Sequence, residues 1–195
     1  LDKDGYKDAS KAIMTTDTCE KTIAIKLELG GKTVTVGVMA KGSGMIHPNM
    51  GTMLSFITTD VNINPDLLDK ALKESVRISY NRVSVDGDTS TNDMVVILAN
   101  GLAENSLINE ENEDYRLFLE ALKELNVKVA KMIAKDGEGA TKLIECKILN
   151  VSSEEKGEIL GKSVICSNLV KTALFGCNAN WGRILDAIGY SGVEF

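Results

Sequence analysis

Apolar and polar positions alternate from Thr22 to Leu29 and again from Thr33 to Met39, with Gly30-Gly31 between the two runs. That pattern predicts a β-hairpin closed by a glycine turn. A glycine-rich loop over residues 41–51 then leads through Thr52 into an apolar run that reads as a buried strand. Asn64-Pro65-Asp66 has the form of a helix start, with Asn as cap and Pro at the first helical position. Leu68, Leu72, Val76 and Ser79 follow on one face, so this helix is predicted to reach about Tyr80. Asp93 to Ala99 has the length and composition of a strand. Asn112 to Ala134 carries Phe118, Leu119, Leu122, Leu125, Val129 and Met132 at helical spacing. Thr141 to Val151 alternates as a strand, and Ser152-Ser153-Glu154-Glu155 resembles a capping box opening a helix through about Leu174. A short helix from Trp181 to Ile188 completes the series. Strands and helices are mixed without regular βαβ repeats, which gives an α+β class with layered sheets.

Composition narrows the function classes. At 195 residues and 44% apolar content the chain can bury one substantial core, and one domain without linkers or internal repeats is expected. A formal net charge of -6 without a lysine or arginine cluster argues against nucleic acid or an anionic membrane as partner, and favours a small-molecule substrate. The chain has no apolar run near the roughly 20 residues of a membrane span, and the acidic start Leu1-Asp2-Lys3-Asp4 does not read as a signal peptide. A soluble, cytoplasmic protein is the expectation. Cys19, Cys146, Cys166 and Cys177 lack C-x-x-C spacing, and His47 stands alone, so neither a metal site, a cofactor nor a disulfide framework is indicated. The run 86–93 invites a calcium-loop reading, but it lacks the final glutamate of an EF-hand and reads instead as a polar loop beside the site.

The candidate chemistry lies in the glycine-rich loop. A threonine hydroxyl is a weak nucleophile unless a base lies within hydrogen-bond reach, and one solution uses the α-amine of the same threonine, freed by cutting the preceding bond. Gly51-Thr52 would be that bond. Glycine before it tolerates backbone geometry that exposes the scissile carbonyl to the hydroxyl. Chemistry alone leaves a second reading open, a glycine turn entering a strand, which is the commoner case.

The run from Met39 to Asp60 resembles the self-cleaving segment of the bifunctional glutamate N-acetyltransferase / ornithine acetyltransferase family of arginine biosynthesis. That family usually has Ala-Thr where this chain has Gly51-Thr52. Four further stretches carry the resemblance in the same order: residues 12–18, 81–93, 135–142 and 180–192. It implies an αββα sandwich, two sheets between helical layers, from a family whose members extend beyond this chain at both ends. It also implies cleavage into pieces 1–51 and 52–195, the ends of an alpha and a beta chain that assemble into an oligomer of such pairs. Thr52 is then the catalytic nucleophile, carrying an acetyl group from N-acetylornithine to glutamate, and some family members also accept acetyl-CoA. Thr15, Lys41, Thr52 and Glu138 match the family's substrate-binding positions. A lysine suits a substrate carboxylate and a glutamate suits a distant ammonium, so Lys41 and Glu138 would serve opposite ends of N-acetylornithine. Read without the resemblance, Thr15 is part of a polar turn, Lys41 a solvated surface charge, and Glu138 part of a helix-ending turn. The family usually has Asp where this chain has Asn178. Two other functions remain open on these residues: an N-terminal-nucleophile aminopeptidase or amidase, and a non-catalytic structural piece.

Overall fold

A computed structural model describes residues 4–47 and 53–194. Its elements are α1 (Gly5–Ala12), β1 (Lys21–Leu29), β2 (Lys32–Lys41), β3 (Leu54–Thr59), α2 (Pro65–Ile78), β4 (Met94–Ala99), α3 (Glu113–Lys135), α4 (Glu154–Cys166), α5 (Asn168–Phe175) and α6 (Trp181–Gly189). A 3₁₀ turn at Tyr80–Arg82 follows α2.

The strands of the described residues form one sheet in the order β1-β2-β3-β4. β1, β2 and β3 pair antiparallel, and β4 joins β3 in parallel after the crossover through α2. Leu29 lies opposite Lys32, leaving Gly30 and Gly31 as a two-residue turn with φ of +57° and +74°. Both positions need the left-handed region, which glycine enters without a Cβ clash and which matches the twist of the flanking strands.

Alternation sets the buried face. Val34, Val36, Val38 and Ala40 of β2 and Ile57 of β3 meet Phe118, Leu122, Leu125, Val129 and Ile133 of α3, and every one of these side chains is buried. A buried hydrogen-bond chain threads this core. The Ser55 and Tyr80 hydroxyls lie 3.0 Å apart, Tyr80 Oη donates to Asn126 Oδ1 at 3.2 Å, and Asn126 Nδ2 donates to Ser75 Oγ at 2.9 Å. It joins β3, α2 and α3, and burial pushes the Tyr80 hydroxyl well above its ordinary range.

The α+β class, the hairpin and the caps agree with the sequence. Asn64 accepts from Asp66 N at 2.8 Å with Pro65 behind it, and Ser153 accepts from Lys156 N at 3.2 Å. Three elements differ. The region 153–174 is two helices, because Ser167 is extended (φ -66°, ψ 117°) and its hydroxyl caps α5 at Val170 N, a local alternative to continuing the helix. Thr141 to Val151 is not a strand. Its alternation survives in burial, with Ile144, Cys146 and Ile148 half-buried and Glu145 and Lys147 exposed, but it has no strand neighbour among the described residues. Helix α1 was invisible to hydrophobic periodicity because its buried residue is Ser10, whose hydroxyl lies 2.9 Å from Lys7 O and 2.6 Å from Glu20. Of the expected sandwich's two sheets, the described residues contain one.

Candidate active site

Gly51 and Thr52, the proposed scissile pair, lie outside the described residues, and the chain is described up to His47 and again from Met53. Both shoulders are gripped by residues 84–93. Asp86 accepts from Met45 N at 2.6 Å and Ile46 N at 3.1 Å, Thr89 Oγ1 donates to His47 O at 3.0 Å, and Asp93 Oδ1 accepts from Met53 N. The polar run that resembled a calcium loop thus spends two of its carboxylates, Asp86 and Asp93, on backbone amides. Among the described residues, no group of three or more His, Cys, Asp or Glu side chains is placed to hold a metal.

Asp93 is half-buried. Burial raises its carboxyl, opposed by the Met53 amide and the charge of Lys41, and the net displacement is upward. Its Oδ2 is buried without a hydrogen-bond partner among the described residues. The sequence singled out the loop but not this residue, since nothing in spacing tells which carboxylate of 86–93 faces residue 53. The His47 ring sits 3.0 Å from the Ser84 hydroxyl and 3.6 Å from Cys166 Sγ. Burial, with Lys162 and Lys171 nearby and Asp86 opposing, lowers its basicity, so the ring is neutral at pH 7.

Lys41 closes β2 opposite Leu54, one residue beyond Met53. Only 8% of it is exposed, and it makes no salt bridge among the described residues. A solvated surface lysine is therefore the wrong description. Its stem is packed inside the fold, and its charge acts on the Asp93 carboxylate. Glu138 approaches the same loop from the end of α3. Its N–H donates to Ser43 O at 3.0 Å, and its carboxylate lies so close over Gly44 that a Cβ there would come within 2.5 Å of Oε1. Residue 44 must be glycine for that carboxylate to stay where it is. Thr15 is exposed, and its N–H donates to Asp17 Oδ2 at 3.2 Å while Asp17 Oδ1 accepts from Gly42 N at 2.7 Å. The backbones carrying Thr15, Lys41 and Glu138, 123 positions apart in sequence from first to last (138 − 15), thus converge on residues 41–44.

A separate cleft of about 730 Å³ runs between α3 and α4, lined in part by Val85, Lys142, Ile144, Cys146 and Ile148. Glu138 is among its lining residues, whereas Thr15 and Lys41 are not. Asn178 closes α5 with its backbone, N–H to Ala173 O at 2.8 Å.

The ArgJ family model matches residues 1–195. The arginine biosynthesis bifunctional protein ArgJ 1 of Clostridium acetobutylicum is 60% identical over 194 residues, covering 100% of this chain and 48% of that protein. ArgJ of Caldanaerobacter subterraneus is 53% identical over 195 residues, again 48% of its length. The crystal structure of ArgJ from Bacillus halodurans superposes with a TM-score of 0.71 at 51% identity, covering 73% of this chain and 67% of that one. The chain spans about half the length of the curated relatives it matches, and over that span it belongs to the ArgJ family.

Proposed function

We propose that this chain carries the nucleophile and part of the substrate site of an arginine-biosynthesis acetyltransferase, which moves the acetyl group of N-acetylornithine to glutamate through an acetyl-Thr52 ester. The observation that carries this reading is the buried Lys41 with the Glu138 carboxylate brought onto the loop that follows it. Opposite charges on one short loop suit an amino acid whose carboxylate and side-chain ammonium are far apart. Similarity to proteins named arginine biosynthesis bifunctional protein supports the substrate class.

The chemistry has two stages. First the Thr52 hydroxyl attacks the Gly51 carbonyl, and an N-to-O acyl shift followed by hydrolysis leaves Thr52 with a free α-amine. That amine then serves as general base while the hydroxyl attacks the acetyl carbonyl, releasing ornithine and leaving the ester. Before cleavage residue 52 has an amide nitrogen, which is not basic, so the precursor is inactive. The 1–51 and 52–195 pieces stay associated, because β2 and β3 on either side of the cut are hydrogen-bonded neighbours.

The test uses intact mass on the complete protein. Processing should split the chain before Thr52, and Thr52→Ala should leave it whole. Adding N-acetylornithine should place one acetyl mass on the piece that begins at Thr52 and release ornithine before glutamate is present. Glutamate should then discharge the ester faster than water, since a transferase holds the acceptor amine in line and raises its effective concentration. Equal rates with and without glutamate would replace the transferase by an amidase. Acetyl-CoA offered in place of N-acetylornithine tells whether that donor is also used.

A further inference from the structure

Lys21, at the first position of β1, has a side chain with 0% exposure, and its ammonium has three donors and three acceptors. Nζ reaches Asp17 Oδ1 at 2.6 Å, Asp136 Oδ2 at 2.6 Å and Cys19 O at 3.3 Å. Each aspartate in turn holds a different backbone. Asp17 accepts from Thr15 N and Gly42 N. Asp136 accepts from Thr18 N at 3.0 Å and from the Thr18 hydroxyl. The Asp136 carbonyl accepts from Ser43 Oγ at 2.6 Å, and Ser43 O accepts from Glu138 N.

We propose that Lys21 is a positioning residue whose ammonium, through Asp17 and Asp136, fixes the three loops that present Thr15, Lys41 and Glu138 to substrate. The inference rests on the reading of those three residues as substrate contacts. Three buried charges are a poor way to gain stability alone, because desolvation offsets their attraction and apolar residues of similar size often do as well. They are a good way to hold irregular backbone: charge-assisted bonds are directional, and here each one ends on a loop that lacks a sheet or helix ladder of its own. The three groups are engaged with one another, with loop amides and with the Thr18 hydroxyl, so each acts through the loops it holds.

The experiment compares Lys21→Met with wild type in the complete protein. KM for N-acetylornithine should rise at least about tenfold while kcat changes by less than about threefold, the signature of lost binding that is uniform between ground and transition state. Independently of activity, hydrogen exchange at the Thr15, Thr18, Gly42 and Glu138 amides should accelerate by more than at Val36 and Leu125, which open only with the whole fold. If the wild-type protein transfers no acetyl group, the functional reading has failed and the exchange measurement alone decides this one. If Lys21→Met does not fold, Ser43→Ala, which removes one neutral link to the Asp136 carbonyl, should produce the same pattern with a KM rise of about threefold. A folded Lys21→Met protein with wild-type KM and wild-type exchange at the four amides overturns the proposal. Where only Ser43→Ala can be read, its matching wild type in both respects does so.

Discussion

The sheet with α2 and α3 and the stretch from residue 141 to 194 have similar apolar content to the eye, yet they are built differently. The first buries Leu29, Val36, Ile57, Phe118, Leu122 and Leu125 completely in one contiguous core. The second has a satellite core of Val164, Val170 and Ala187, while Trp181 is 74% and Phe175 69% exposed. Polar ties to the two ends of α5 add to its cohesion: Lys142 Nζ donates to Phe175 O at 2.8 Å, and an Arg183 guanidinium nitrogen donates to Leu169 O at 2.8 Å. The difference teaches that helical periodicity reports which side of an element is apolar, and says nothing of whether the same chain supplies the surface that covers it.

The sharpest way to break the comparison is to cut a cavity in each region. Leu125→Ala should cost about 2–5 kcal/mol in urea denaturation, whereas Leu160→Ala, buried on α4 one turn before Val164 of the small satellite core, should fall at or below about 2 kcal/mol. Equal losses would mean the two cores are equally tight. Next comes the polar thread of the first core. Tyr80→Phe leaves the Ser55 hydroxyl and Asn126 Oδ1 short of a partner in a buried site and should cost about 1–3 kcal/mol by the same assay.

A smaller effect appears only in acid. Burial would raise the Asp136 carboxyl, but the Lys21 and Thr18 hydrogen bonds outweigh it and hold it at about 2, below the ordinary 3.8. A depressed folded-state value means stability that is present above the unfolded pKa and lost as pH falls through the folded one. The loss should therefore run from about pH 4 to about pH 2, and Asp136→Asn should flatten the stability profile across that window. Smallest of all is the surface tie between the regions, where Glu154 accepts from Arg82 and Arg77. Glu154→Gln should leave the urea midpoint of the first region unchanged and speed amide exchange only in α4, an effect that about 1 M salt should reproduce in wild type.

Much of this was legible in the sequence where one physical signal dominated. Alternation and Gly30-Gly31 located the hairpin, Asn64-Pro65 the start of α2, and the spacing from Phe118 to Met132 the long helix. The break at Ser167 was not legible, because a serine that caps the next helix and one that sits mid-helix look alike in sequence. Thr141 to Val151 reads as a strand from alternation, but a strand exists only with a partner to ladder against, and alternation does not specify one. At the site, resemblance singled out Thr15, Lys41 and Glu138, and the fold brings their backbones to one loop. Asp93 and the Lys21 cluster escaped notice because both work through backbone amides and carbonyls, which every sequence position offers alike.

The antiparallel pairing of β2 with β3, from Val36 opposite Thr59 to Lys41 opposite Leu54, has a consequence for molecularity. A cut between residues 51 and 52 divides the sheet down its middle, leaving β1 and β2 on one polypeptide and β3 and β4 on the other. Folding of the uncut chain is unimolecular, so its melting point is independent of concentration. Once cut, the same sheet becomes a heterodimer interface: its melting point rises with concentration, and its recovery from urea becomes second order and fails on dilution. Self-cleavage would thus act as a latch, passed through once after folding and not readily passed back.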